Sequence, residues 1–179
     1  MLPLFRRPPK NTIAALYGAI VAQARRPVFY QGLGVPDTVL GRFDLIVLHL
    51  VLLLRRLREG EAVHLELAQG VFDAFCRDMD DNLREMGISD QGVPRQMRKV
   101  GAAFYGRAQA YEAALGEPDG SLAAALARNV YGVAEPPVAA VTLAVYVRQA
   151  VDSLAGQGLG ALAAGGVSFP EPQAAAAAE

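Results

Sequence analysis

The chain of 179 residues contains one cysteine, two histidines and no tryptophan. A single cysteine leaves no internal disulfide framework and no multi-cysteine zinc or iron–sulfur site. Two histidines leave almost no room for a His-rich metal centre. An excess of one charge is missing as well, with 17 basic against 18 acidic residues and a net charge of -1. A general nucleic-acid binder needs a basic surplus to neutralise phosphates, so nucleic acid is not expected as the primary ligand. Long apolar runs are scarce, although 53% of the residues are hydrophobic and the mean hydropathy is +0.22. Leu45 to Leu54 is interrupted by His49 and flanked by Asp44 and Arg55-Arg56. It is about half the roughly 20 residues that cross a bilayer, and reads as a buried core helix. The stretch from Val138 is broken by Arg148 and Asp152 and reads as an amphipathic helix.

Strand alternation is almost absent, and 3.6-residue periodicity dominates. The spacing predicts helices over Asn11–Arg25, Asp37–Arg58, Glu61–Met86, Val93–Leu115, Asp119–Tyr131 and Glu135–Leu154, punctuated by glycine and proline. The expectation is an all-α, single-domain bundle of about six helices: a flexible segment 1–11, a helical domain 12–169 and a disordered tail 170–179. The tail, Pro170-Glu171-Pro172-Gln173 followed by alanines, has little to bury. Near the N-terminus, Arg6, Arg7 and Lys10 precede an apolar stretch with the general form of a signal peptide. Ile13, Leu16, Tyr17, Ile20 and Ala24 nevertheless share one helical face, so a retained helix and a cytoplasmic protein are expected. Asp37, after Pro36, is the expected N-cap of the second helix.

The third helical segment carries Phe72, Phe75, Met79, Leu83 and Met86 on one face. Asp73/Arg77, Arg77/Asp81 and Asp80/Arg84 fall at i, i+4 on the other, pairs worth about 0.2–0.5 kcal/mol each. The fourth segment repeats the stripe with Met97, Val100, Phe104, Ala108, Tyr111 and Leu115, so the two are expected to pack antiparallel.

The candidate sites are few. Asp78, Asp80 and Asp81 suggest a divalent cation, but an EF-hand from Asp78 needs glycine and glutamate where Leu83 and Ser89 stand. A solvated helix face is the plainer reading. His49 reads as a satisfied core histidine and His64 as a surface or capping residue; haem ligation by the pair is the rival. Cys76 reads as an inert thiol beside the apolar stripe. Gly156-Gln157-Gly158-Leu159-Gly160 follows a helix and not a strand, so it reads as a terminator and not a phosphate loop. Arg95, Arg98, Lys99 and Arg107 surround Phe104-Tyr105-Gly106. Gly101 and Gly106 each cost that helix about 1 kcal/mol relative to alanine. Such glycines permit close backbone approach, either by another helix of the bundle or by a bound segment.

Several segments carry a resemblance when taken together. They are Leu16-Tyr17 to Phe29-Tyr30, Gly41-Arg42-Phe43-Asp44 with His49, Asp78 to Gly87, Val93-Pro94-Arg95, Phe104-Tyr105-Gly106-Arg107 and Ala110-Tyr111, with Leu122–Tyr131 and Tyr146-Val147-Arg148 after them. In this order they resemble the ubiquinol–cytochrome c chaperone family, over roughly residues 12–170. The resemblance implies an all-helical, non-enzymatic assembly factor of respiratory complex III that attends newly made cytochrome b. It implies no cofactor and no catalytic residue. In mitochondrial members it also implies a small partner protein and contact with the ribosome surface. Lacking a long presequence and any tryptophan, this chain resembles a bacterial member, at most peripheral on the cytoplasmic face of the inner membrane. The polar residues expected to meet a client or partner are Asp78, Asp80, Asp81, Arg84 and Arg107, joined by Arg95, Arg98 and Tyr105. An apolar groove edged by Tyr105, Arg107 and the acidic helix is the expected site. The alternative is a metal-dependent enzyme or carrier for a hydrophobic isoprenoid, using the aspartates.

Overall fold

A computed structural model describes residues 8–118 and 120–174 and is all-helical across them. The helices are α1 (Lys10–Ala24), α2 (Pro27–Gln31), α3 (Val39–Arg58), α4 (Ala62–Glu85), α5 (Val93–Leu115), α6 (Ser121–Leu126), α7 (Val138–Gly156) and α8 (Leu159–Ala163). A π-helical turn, Ala127–Tyr131, prolongs α6. Asp119, the expected start of α6, lies outside the described residues, as do residues 1–7 and 175–179 of the two expected flexible ends.

The apolar run inside α3 explains the architecture. Thirteen of its 20 residues are buried, including every one from Asp44 to Leu54, so the helix must be covered on all sides. α1, α4, α5, α7 and the π-turn supply that cover. Leu16 and Ile20 come from α1, Phe75 from α4, Tyr111 from α5, and Leu143 and Val147 from α7, all fully buried. The start of α3 corrects the expected cap. Thr38, not Asp37, caps it, accepting from the Gly41 amide at 3.1 Å, while Asp37 pairs with Arg42 at 2.8 Å. Gly41 fits because a Cβ there would stand 1.9 Å from the Pro36 carbonyl oxygen. His64 completes a capping box at the start of α4, its Nδ1 accepting from the Glu61 amide at 3.1 Å.

Cross-helix contacts fix the directions. Arg107 of α5 meets Asp44 of α3 at 2.6 Å, and Arg58 meets Glu112 at 2.9 Å, so α3 and α5 run the same way. His49 bonds Tyr146 at 2.7 Å and Arg56 bonds the Leu154 carbonyl at 2.9 Å, so α7 runs with them. α4 returns antiparallel to α5, as its stripe predicts, with Phe72 and Phe104 rings 4.9 Å apart. Among the described residues α7 is the one helix long and apolar enough to cross a membrane by length and composition, with a third of that window buried. Its inner face, Leu143, Tyr146, Val147, Ala150 and Leu154, belongs to the core.

Residues past α8 also pack. Val167 and Phe169 lie against the core, and Pro172 of the low-complexity segment is buried.

Candidate functional site

The N-termini of α3, α5 and α7 share one end of the bundle with the C-terminus of α4. Most of the exposed large apolar side chains gather there. Val39 (71% exposed), Leu40, Met86, Tyr105 (65%), Val138 and Val141 are on or beside helices that begin or end here, with Val133 in the loop before α7 and Val145 further along it, against Val63 and Leu65 at the other end. An apolar concentration of this kind on a folded monomer marks a contact surface.

The eight residues expected to meet a client are placed unevenly. Asp78 is half-buried and structural: it accepts from Tyr17 Oη at 2.6 Å and from Asn82 Nδ2 at 3.2 Å, fastening α1 to α4. Burial, with the Asp78 carboxylate beside it, pushes the Tyr17 phenol far above its ordinary range. Asp80 pairs with Arg84 at 2.6 Å, and Arg84 also pairs with Asp90 in the turn before α5. Asp73 takes the Gln69 amide at 2.7 Å in place of the expected Arg77. A metal site on this helix would need Asp78, Asp80 and Asp81 to converge. The first two are directed instead at a tyrosine and an arginine, so the three carboxylates do not converge on one point here.

Arg95, Arg98 and Lys99 stand exposed in the first two turns of α5. Cations there face the positive end of the helix dipole, and no carboxylate accompanies them in the first turn. Tyr105 projects outward one turn further on, its ring 5.3 Å from Phe104 and 6.3 Å from Phe72. A Cβ added at Gly101 or Gly106 would meet nothing within 4 Å. Of the two explanations for these glycines, packing within the bundle therefore fails, since no neighbouring helix approaches them.

Arg107 turns inward, away from the expected groove edge. Its guanidinium lies 2.6 Å from Asp44 and over the Phe43 ring at 5.5 Å. Desolvation pushes the Asp44 carboxyl up to about 6, although the Arg107 charge pulls it down. The contact is close but poorly aligned. Asp44 Oδ1, Arg107 Nε and Tyr111 Oη, all buried, find no hydrogen-bond partner of good geometry among the described residues. Asp44 was not among the expected site residues, though a carboxylate directly before ten nearly unbroken apolar positions is a visible anomaly.

His49 is fully buried. The Leu45 carbonyl can only accept, so His49 Nδ1 carries the proton and donates to it at 2.7 Å. Nε2 then accepts from Tyr146 Oη at 2.7 Å, and Tyr146 accepts from Gln23 Nε2 at 2.9 Å. Burial lowers the His49 pKa to about 4. Both ring nitrogens are thus engaged, as a satisfied core histidine requires, and neither faces His64. Cys76 is partly buried and its thiol is pushed up by desolvation, an unreactive setting.

Residues 31–169 match the model of a family described as ubiquinol–cytochrome C chaperone. The ubiquinol–cytochrome-c reductase complex assembly factor 1 of Xenopus laevis is 28% identical over 156 residues, covering 84% of this chain and 78% of that protein. The crystal structure of the Cbp3 homolog from Brucella abortus superposes with a TM-score of 0.82 at 43% identity, over 90% of each chain. The chain belongs to the ubiquinol–cytochrome c chaperone family.

Proposed function

We propose that this chain, an assembly chaperone of the ubiquinol–cytochrome c reductase complex, binds newly made cytochrome b and shelters it without catalysing a reaction. The observation that carries the reading is the end of the bundle where exposed apolar side chains meet the open face of α5. Gly101, Ala102 and Gly106 leave the α5 backbone accessible, and Tyr105 supplies an aromatic anchor beside them. A client helix can approach such a surface closely, as small residues allow at helix–helix contacts. The rims differ in sign: Asp80 and Asp81 lie on α4, and Arg95, Arg98 and Lys99 on α5. Opposed rims of this kind orient an amphipathic segment more than they tighten its binding. Met79 and Met97, partly buried between the rims, are unbranched and adapt to varied apolar surfaces. The reading places the protein at the cytoplasmic face of the membrane where such a client is made.

The test is co-purification of newly made cytochrome b with the tagged protein and with a Tyr105→Asp, Arg98→Glu variant. Both positions are exposed, so helicity should be unchanged. Loss of cytochrome b from the variant supports the reading, and equal recovery removes this face from it.

A further inference from the structure

The segment after α8 lies along the groove between α1 and α7 in the manner of a bound peptide. Its backbone is clamped at one residue from both sides: the Gln157 side chain donates to the Ser168 carbonyl at 2.8 Å and accepts from the Ser168 amide at 3.0 Å. Phe169 stands edge-on to the His49 ring, with centroids 5.1 Å apart and planes at 89°. The Pro170 carbonyl accepts from Gln23 Nε2 at 2.9 Å, the same amide that holds Tyr146. Glu171 is ion-paired with Arg26. Pro172 is buried, and Ala174 crosses α2 at Gly32, where a Cβ would come within 2.9 Å of the alanine side chain. A two-point backbone clamp, a ring contact for an aromatic side chain, a donor for a carbonyl and a cation for a carboxylate make up a recognition site for extended chain. None of these contacts requires the ligand to be covalently attached.

We propose that the groove between α1 and α7 is a binding site for an extended peptide of the pattern small–aromatic–proline–acid–proline, with residues 168–172 as its resident occupant. Gln157 reads the backbone, His49 the aromatic ring and Arg26 the acid. A tethered occupant competes at an effective concentration on the order of millimolar, so an outside peptide enters only when the tether's own contacts are weakened or outcompeted. The site is separate from the α5 face proposed for the client, and its test does not depend on cytochrome b.

The experiment uses the full chain and a labelled synthetic peptide of residues 165–174. A Phe169→Ala, Glu171→Ala variant weakens the resident segment, and should bind the peptide at least about tenfold more tightly than the unaltered chain does. Adding Arg26→Glu should lower that affinity about tenfold, and a peptide carrying Glu171→Arg should restore it. Equal binding to the unaltered and weakened chains, or indifference to Arg26→Glu, would overturn the proposal. Should the weakened variant fail to fold, hydrogen exchange of the Ser168 amide in the unaltered chain decides. Excess unlabelled peptide should accelerate it about tenfold, and an unchanged rate contradicts a displaceable occupant.

Discussion

Replacing Arg107 by methionine removes the charge but keeps an apolar stem over Phe43, and isolates what the buried ion pair contributes. The Asp44 side chain is 2% exposed and touches Arg107 at 2.6 Å. Its pKa is raised from 3.8 to about 6, so desolvation outweighs the pairing even in the intact protein. At about 1.4 kcal/mol per pH unit, the ionised carboxylate already costs roughly 3 kcal/mol at neutral pH. Without Arg107 the carboxyl titrates higher still. Breaking a buried pair from one side costs about 3–5 kcal/mol, and that is the expected loss near pH 8. Near pH 5, Asp44 is protonated in both proteins, so the charge contribution vanishes. The residual loss is then the cation–π contact, about 0.5–1 kcal/mol. Urea unfolding at the two pH values measures the difference. An Asp44→Leu, Arg107→Met double variant should come within about 1 kcal/mol of the parent, or exceed it, because no charge is left buried. Equal losses for Arg107→Met at both pH values would refute the reasoning.

The remaining predictions follow from the same geometry. His49 titrates near 4 when folded against 6.5 unfolded, so its contribution is complete above 6.5 and shrinks as pH falls towards 4. Asp44 has the opposite slope: its folded pKa lies above its unfolded one, and its burden is relieved as pH falls from about 6. A His49→Gln variant should therefore gain stability on acidification over that window, and an Asp44→Asn variant should lose it. Slopes of the same sign in both would contradict the assignments. Thr38→Ala should cost about 1 kcal/mol in thermal unfolding through loss of the α3 cap. Gly106→Ala, with open space at its Cβ, should stabilise the chain by about 0.5–1 kcal/mol while weakening client capture. Destabilisation instead would mean that the glycine serves the fold.

Much of the fold is legible in one dimension because the core is built from long stripes. Phe72 to Met86 and Met97 to Leu115 announce both an inward face and an antiparallel partner, and the run from Leu45 to Leu54 announces a helix enclosed by others. Elements of five residues, Pro27–Gln31 and Leu159–Ala163, are too short to display a period, and neither was expected. The choice of Thr38 over Asp37 as a cap depends on which side chain can reach the Gly41 amide, and both residue types cap well. The Asp44–Arg107 pair joins residues 63 apart, a distance across which no local pattern operates. The resemblance therefore places Arg107 at the edge of a client groove, whereas the structure turns it inward onto Asp44. The segment from Pro170 reads as disordered by composition; its described part, residues 170–174, lies against Arg26, Gln23 and Gly32, far away in sequence. Tyr105 and the two glycines of α5 are legible as unusual, and the exposure of Tyr105 with the open space beside both glycines explains why.

The most direct measurement of the central claim is crosslinking in growing cells from a photoreactive residue at position 105, followed by identification of the captured chain. The account predicts newly made cytochrome b, with capture reduced several-fold by Gly106→Ala and lost when the probe is moved to Leu65 at the opposite end. Crosslinks from position 65 but not 105, or no cytochrome b from either, would contradict it.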